Sequence, residues 1–304
     1  MEKKLIVRIA EGLGNQLFMY ANAYALSKDL NYNLYIDDKS GFIKTKSFRE
    51  YYLDRFNLTS QIIQDEEKFH TNFLNIKRKL LKKIDFFKTK KSFLIEKKTK
   101  NKNTNFYDIK KQNYSDKIYI EGHYESELYF IKYRDDLLKE FSFKNNKYFK
   151  ENKYYNMIKS SSENIISISI RTNRFSEREG NKYNVVSINE SNQFTKDTIE
   201  YVYRAIKNVK LKIPNAKFFV WSNNFSGLRE YFPENEFTFI DNKLDKIYND
   251  FYLFSLCKNF IVGPTSFHWW GAWLNENTNK LCFRPKNLNP SNNNDFWPKD
   301  WISI

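Results

Sequence analysis

The strongest constraint on the fold is a short apolar run followed at once by a glycine turn. Leu5-Ile6-Val7-Arg8-Ile9 has the length and β-branched content of a buried strand, and Glu11-Gly12-Leu13-Gly14-Asn15 turns the chain tightly after it. Leu17, Tyr20, Ala21, Tyr24 and Ala25 then recur at helical spacing, and Leu34 to Ile36 reads as a second short strand ending at Asp37-Asp38. A chain that opens strand, glycine turn, helix, strand is building a parallel sheet.

The same alternation continues downstream. Strands are expected at 118–120, 165–170, 217–221, 238–240, 259–262 and 280–283, and helices at 250–257 and 269–275. Asp197 to Glu200 reads as a capping box that opens a helix through Val209. These elements imply α/β architecture with helices on both sheet faces, in two units whose facing strand ends would leave a cleft. A polar stretch from Lys144 to Lys153 marks the junction, giving residues 1–150 and 151–304 as the two domains. The segment 77–102 stands apart: twelve Lys or Arg against two acids, apolar residues interleaved, no Gly or Pro. It reads as a basic insertion of exposed helical or irregular pieces rather than core. The last residues, through Trp297 and Trp301, are expected to pack back as an apolar anchor.

Composition narrows the function classes. Aromatic residues make up 18% of the 304, which argues against wholesale disorder. The two cysteines, Cys257 and Cys282, sit in apolar runs, and there are three histidines, so neither a zinc cluster nor a disulfide framework is expected. The opening apolar run is too short for a signal peptide, and no stretch approaches the roughly 18 apolar residues that cross a membrane. A cytoplasmic protein, free or peripheral on the inner membrane face, is expected. The formal charge of +15 is compatible with nucleic acid, anionic lipid or a phosphorylated ligand as partner, and equally with the Lys-, Asn- and Ile-rich coding of an AT-rich genome, so charge alone decides nothing.

Gly12-x-Gly14 between strand and helix, with Asp37-Asp38 a little over twenty residues on, imitates a dinucleotide fingerprint and raises a nicotinamide oxidoreductase as one reading. Leu17 stands where the third glycine of that fingerprint would let helix and strand pack closely. The longer string Gly12-Leu13-Gly14-Asn15-Gln16-Leu17-Phe18-x-Tyr20-Ala21 is more specific. It resembles the GGLGNQ-[ML]-F-x-Y-A opening of the bacterial α-1,2-fucosyltransferases of glycosyltransferase family 11, with Glu11 in place of the first glycine. Ser126, Glu127, Tyr129 and Phe130 match a further block of that family, from which His123 and Glu125 depart. Asp250 to Cys257 resembles its D-x-Y-L-M-S-L-C helix, and Thr265-Ser266-Phe267-His268-Trp269-Trp270-Gly271-Ala272-Trp273-Leu274-Asn275 its S-[ST]-F-S-W-W-G-A-W-L-N stretch.

Two blocks depart from the pattern. Where the family shows H-x-R-R-x-D, this chain has Ser169-Ile170-Arg171-Thr172-Asn173-Arg174, so Arg171 alone keeps its register; where the family has S-D-D, it has Ser222-Asn223-Asn224. The resemblance implies a GT-B fold of two Rossmann-like domains, the N-terminal one on the acceptor side and the C-terminal one binding the nucleotide sugar. It implies inverting transfer of L-fucose from GDP-β-L-fucose to the 2-hydroxyl of a galactose in a surface glycan, with no metal or other cofactor. Another GDP-deoxysugar such as colitose is the nearest alternative, and a non-enzymatic basic surface-binding module the rival from another class. Arg171 is expected on the diphosphate, with Ser169, Ser222, Asn223, Thr265, Ser266, Phe267 and His268 around the nucleotide. His268 is equally readable as packing. Glu11, with Asn15 close by on the glycine turn, is the first candidate for the general base, followed by Glu177 and Glu179. The expected partners are the nucleotide sugar, a galactose-containing acceptor and an anionic membrane surface, with no nucleic acid.

Overall fold

The computed structural model describes residues 2–96, 103–104, 106–145, 147–160, 164–177 and 181–304. The chain divides into two compact units: residues 1–145 with 291–298, and residues 146–290 with 299–304. A single cut near residue 150 does not anticipate the return of 291–298 to the first unit.

In the first unit, β1 (Lys4–Arg8) leads through the glycine turn into α1 (Leu13–Leu30) and β2 (Asn33–Asp37). The chain continues through β3 (Gln61–Ile62), α2 (Asn72–Asp85), β4 (Lys91–Ile95), α3 (Phe106–Lys111), β5 (Tyr114–Glu121) and α4 (Arg134–Glu140). The sheet is parallel, in the order β3-β2-β1-β5-β4. Leu5, Ile6, Val7 and Ile9 are buried, as a central strand covered on both faces requires. Helix α1 is buried almost all round, and the aromatic rings of Phe18 and Tyr20 on it meet Phe130, Phe141 and Phe296.

The basic segment departs from expectation. Its first part is α2, but Lys91–Ile95 is a sheet strand paired with β5, and Phe93 packs against Tyr119 beneath it while Leu94 is buried. Non-local pairing recruited a stretch whose local composition reads as surface. Residues 97–102 of that segment lie outside the described residues.

The second unit carries α5 (Lys147–Lys150), α6 (Lys153–Ser160), β6 (Ile165–Ile170), α7 (Val185–Lys212), β7 (Lys217–Ser222), α8 (Leu228–Tyr231) and β8 (Phe237–Phe239). Then come α9 (Lys246–Ser255), β9 (Asn259–Ile261), α10 (Ser266–Trp273), β10 (Cys282–Arg284) and β11 (Ile302–Ser303). Its parallel sheet runs β11-β10-β9-β6-β7-β8. From β6 the chain builds outward through β7 and β8, then returns to the other side of β6 and builds out through β9, β10 and β11. The reversal places a topological switch point between the carboxyl ends of β6 and β9, where open α/β sheets bind ligands.

Helix α7 begins twelve residues before the capping box expected at Asp197. Asn184 caps it by accepting from the N–H groups of Val186 and Ser187. Asp197 lies inside the helix and accepts from Gln193 one turn earlier at 2.7 Å, so its side chain is spent on an i, i+4 pair. Helix α10 is anchored by aromatics: Trp269 stacks on Trp273 and meets Trp270 and Trp301, all four buried. Both cysteines are buried and reduced.

The switch point depends on a missing side chain. A Cβ on Gly263 would lie 2.2 Å from the carbonyl oxygen of Ser169, too close for any real contact with backbone. Gly263→Ala is expected to separate β6 from the turn after β9 and to cost about 2 kcal/mol or more of unfolding free energy in urea titration. A variant as stable as the parent would show that the two strand ends need not approach so closely.

Candidate functional site

The site in the second unit grows from the ends of β6 and β9. Ser169 is fully buried, and its hydroxyl oxygen accepts the Gly263 N–H at 2.7 Å. It is therefore a tie between two strand ends rather than a group presented to a ligand. Two residues on, Arg171 leaves the strand half-buried. Its guanidinium pairs through Nη2 with Glu177, and among the described residues its buried Nε has no hydrogen-bond partner. A buried guanidinium N–H left over beside an ion pair is a donor awaiting an acceptor.

Arg174, which stands where the family has an acid, is a brace. Its Nη1 donates to the Pro264 carbonyl at 2.9 Å and its Nη2 to the Pro290 carbonyl at 3.0 Å, and its guanidinium lies over the Phe194 ring. Its charge thus holds the loop after β6 against the turn after β9.

Thr265 caps α10. Its hydroxyl oxygen accepts the backbone N–H of His268 at 3.3 Å and lies 3.0 Å from Nδ1 of the same residue. This contact ties the ring to the helix cap, with either atom able to be the donor. Burial holds the His268 ring far below the ordinary imidazole range, at about 3, and the charges of Arg171 and Lys246 push the same way. At neutral pH the ring is an uncharged donor beside cations. Phe267 packs edge-on against Phe251 and His268, and Ser266 opens the helix. The helix N-terminus adds its own partial positive charge to this edge of the sheet.

At the end of β7, Asn223 is committed elsewhere. Its carbonyl accepts from the Thr172 N–H at 3.0 Å and from the Thr172 hydroxyl at 3.4 Å, while its amide donates to the Thr172 carbonyl at 3.1 Å. This side chain extends the β6–β7 ladder by one step, and what it has left is an N–H donor. Ser222 is turned back onto its own loop, donating to the Asn224 carbonyl. Beside them lies a cavity of about 540 Å³, walled by the β7–α8 loop, Arg229, Asp241, Asn242, Lys243 and Lys246. Asp241, Lys243 and Lys246, which line it, escaped the sequence reading because their loop carries no motif. One helical turn beyond Lys246, Asp250 is paired with it at 3.1 Å and raised to about 6 by burial.

Glu11 and Asn15 belong to the first unit. Glu11 adopts φ 65°, a left-handed conformation that suits glycine and strains a residue with a side chain. The buried Gln16 amide secures this turn, donating to the carbonyls of Glu11 at 2.9 Å and Glu50 at 2.7 Å and accepting from the Tyr52 N–H at 2.8 Å. Asn15 enters α1 with its N–H on the Gly12 carbonyl. Asp37 is fully buried, and its carboxylate accepts from the Lys39 and Ser40 N–H groups and from the Ser40 and Tyr119 hydroxyls. Asp38 pairs with Lys68 at 2.8 Å. With Asp37 sealed inside, it cannot hold a ribose as the dinucleotide fingerprint requires. Glu177 meets Arg171, and Glu179 lies outside the described residues.

His268 carries a pH signature. Between an unfolded value of 6.5 and a folded value of about 3, the unfolded chain binds a proton that the folded chain refuses, so stability falls as pH drops through that window. Asp250 acts with the opposite sign between 3.8 and about 6, so the comparison must be made against a variant. His268→Gln is expected to lose about 2 kcal/mol less than the parent on acidification from about pH 7 to about pH 4.5, read by urea unfolding. Equal losses would mean that the folded ring is charged.

A family model described as Glycosyl transferase family 11 matches residues 4–304. The chain is similar to an alpha-1,2-colitosyltransferase of Escherichia coli, 26% identical over 313 residues, covering 99% of this chain and 98% of that protein. It is also similar to the O-antigen biosynthesis glycosyltransferase WbnK of Escherichia coli, at 24% identity over 97% of this chain and 99% of the relative. The crystal structure of fucosyltransferase NodZ from Bradyrhizobium aligns with a TM-score of 0.51 at 14% identity, covering 90% of this chain and 93% of that one. NodZ alpha-1,6-fucosyltransferase co-crystallized with GDP aligns with a TM-score of 0.50 at 14% identity, over 90% and 92% of the two chains. The fold is thus of the GT-B type, built from two Rossmann-like α/β domains. With that family model matched from residue 4 to residue 304, this chain belongs to glycosyl transferase family 11.

Proposed function

We propose that this glycosyltransferase moves L-fucose from GDP-β-L-fucose to the 2-hydroxyl of a galactose in a surface glycan, with inversion. The second unit holds the nucleotide sugar and the first the acceptor. The observation that carries this reading is the group at the β6/β9 switch point: Arg171 with an unpartnered Nε, the Thr265-capped start of α10, and a neutral His268. Departure of GDP concentrates negative charge on the diphosphate. Arg171 answers it with charge-assisted donors, and the helix terminus with N–H groups and dipole. In this role Arg171 exchanges Glu177 for the phosphate. These groups carry the developing charge without a metal.

As the sugar becomes oxocarbenium-like, the acceptor hydroxyl must lose its proton. Glu11 is the proposed base. It stands on the turn after β1, and the retained left-handed strain at a carboxylate supports a functional reason for departing from glycine. Asn15, on the first turn of α1, is suited to orient the acceptor hydroxyl. In the arrangement seen here Asn223 has only a donor left, which supports looser guanine recognition than a carboxylate gives. Asp241 lies on the wall of the neighbouring cavity.

A second reading, transfer of colitose, is favoured by the similarity to the alpha-1,2-colitosyltransferase. Colitose lacks one hydroxyl of L-fucose, so a donor screen with the two GDP-sugars, UDP-sugars and NAD separates the readings. Turnover with GDP-fucose is expected to dominate. Preference for GDP-colitose would select the second reading, and a preference outside GDP-deoxysugars would overturn both. Arg171→Ala is expected to lower kcat/KM about a hundredfold while the variant unfolds like the parent. Glu11→Gln should lower kcat at least as much with GDP affinity unchanged. Retention of more than about a third of activity would remove either residue from its role.

A further inference from the structure

Helix α2 is turned the opposite way from an ordinary surface helix. Its inward face is polar and charged. Arg78 is buried against Glu121 and Asn75, Lys82 reaches the other Glu121 oxygen at 2.9 Å, and the buried Asp85 carboxylate accepts from the Ser92 and Phe93 N–H groups. Its outward face is apolar. Phe73, Ile76, Leu80, Ile84 and Phe87 recur at steps of three and four residues, with Phe86 beside them, and each is between 54% and 85% exposed. An amphipathic helix normally buries such a stripe against the core. Here the charged pairs to Glu121 and the Asp85 cap on β4 hold the other face inward. Single exposed apolar side chains are ordinary, but a contiguous row of this length marks an interaction surface.

The charges around the stripe say what it meets. Of the eight basic residues from Asn72 to Lys91, Arg78 and Lys82 are paired inward with Glu121, while the exposed Lys77, Lys79 and Lys83 flank the apolar row. A second copy of this surface would bring like charges together, whereas an anionic lipid surface neutralises them. Lysine stems can lie along the apolar face while their ammonium groups reach the headgroups.

We infer that α2, with Phe86 and Phe87, docks the protein on anionic phospholipid, the helix lying in the plane of the interface and its apolar row at the headgroup–acyl boundary. Phe93 and Leu94, further along the basic segment, take no part, since they are spent on β4. The inference does not depend on the donor or the acceptor of the transferase.

The test is co-sedimentation of the full-length protein with vesicles of phosphatidylcholine alone and of phosphatidylcholine mixed with phosphatidylglycerol, at low and high salt. Binding is expected to the mixed vesicles only, and to weaken as salt screens the lysines. The triple variant Leu80→Ser, Ile84→Ser, Phe87→Ser should bind roughly tenfold more weakly or worse, with the remainder fully reversed by salt. Lys77→Gln, Lys79→Gln, Lys83→Gln together should weaken binding by a similar factor while keeping the apolar row. All six positions are exposed, and unchanged thermal unfolding checks that both variants fold. Wild-type protein left in the supernatant with anionic vesicles at low salt would overturn the proposal. So would equal binding by either variant, or a concentration-dependent dimer abolished by the serine variant whose lipid binding is intact.

Discussion

Gly263 and Ser169 meet where the two halves of the second sheet part, and the candidate nucleotide site is built on that meeting. The glycine has no Cβ to collide with the Ser169 carbonyl, and its N–H finds the Ser169 hydroxyl at 2.7 Å. Because the turn after β9 can lie this close to β6, the start of α10 and the loop that carries Arg171 leave neighbouring strand ends. Arg174 then clamps the same loop to the Pro264 and Pro290 carbonyls. A larger side chain at either strand end would push the helix terminus and the guanidinium apart, and with them the two sources of positive potential.

The electrostatics of this edge follow from the same packing. Burial keeps the His268 ring neutral, and the charges of Arg171 and Lys246 act in the same sense, so the ring adds no repulsion of its own. Thr265 divides its hydroxyl between the helix N-terminus and that ring, holding the ring in place. The cations remain partly compensated by Glu177 and Asp250. A polyanionic ligand therefore meets prepaired charges that it can take over, rather than a cluster of bare ones.

Much of this was legible in the residues. The apolar run at 165–170 could hardly be anything but a central strand, and it is one from end to end. The glycine turn after β1 and the Trp-rich helix were readable because a glycine pattern and an aromatic run act locally. What escaped the sequence was what depends on distant partners. Lys91–Ile95 became a strand because β5 was there to pair with it. Asp197 resembled a cap, but Asn184 capped the helix earlier. Ser169 and Asn223 had the right types for nucleotide contacts, yet Gly263 and Thr172, 94 and 51 residues away in sequence, claim their hydrogen bonds. Lys246 and Asp241 joined the site neighbourhood through loop packing, for which no periodicity exists.

The two units offer rival places for a diphosphate: the glycine turn before α1 and the switch point between β6 and β9. A crystal structure with GDP bound decides between them most directly. Density for the diphosphate is expected on the Arg171 guanidinium and the N-terminus of α10, with Glu177 displaced from its ion pair. Diphosphate density on Gly12 and Gly14, with the Arg171–Glu177 pair intact, would contradict the assignment of the nucleotide to the second unit.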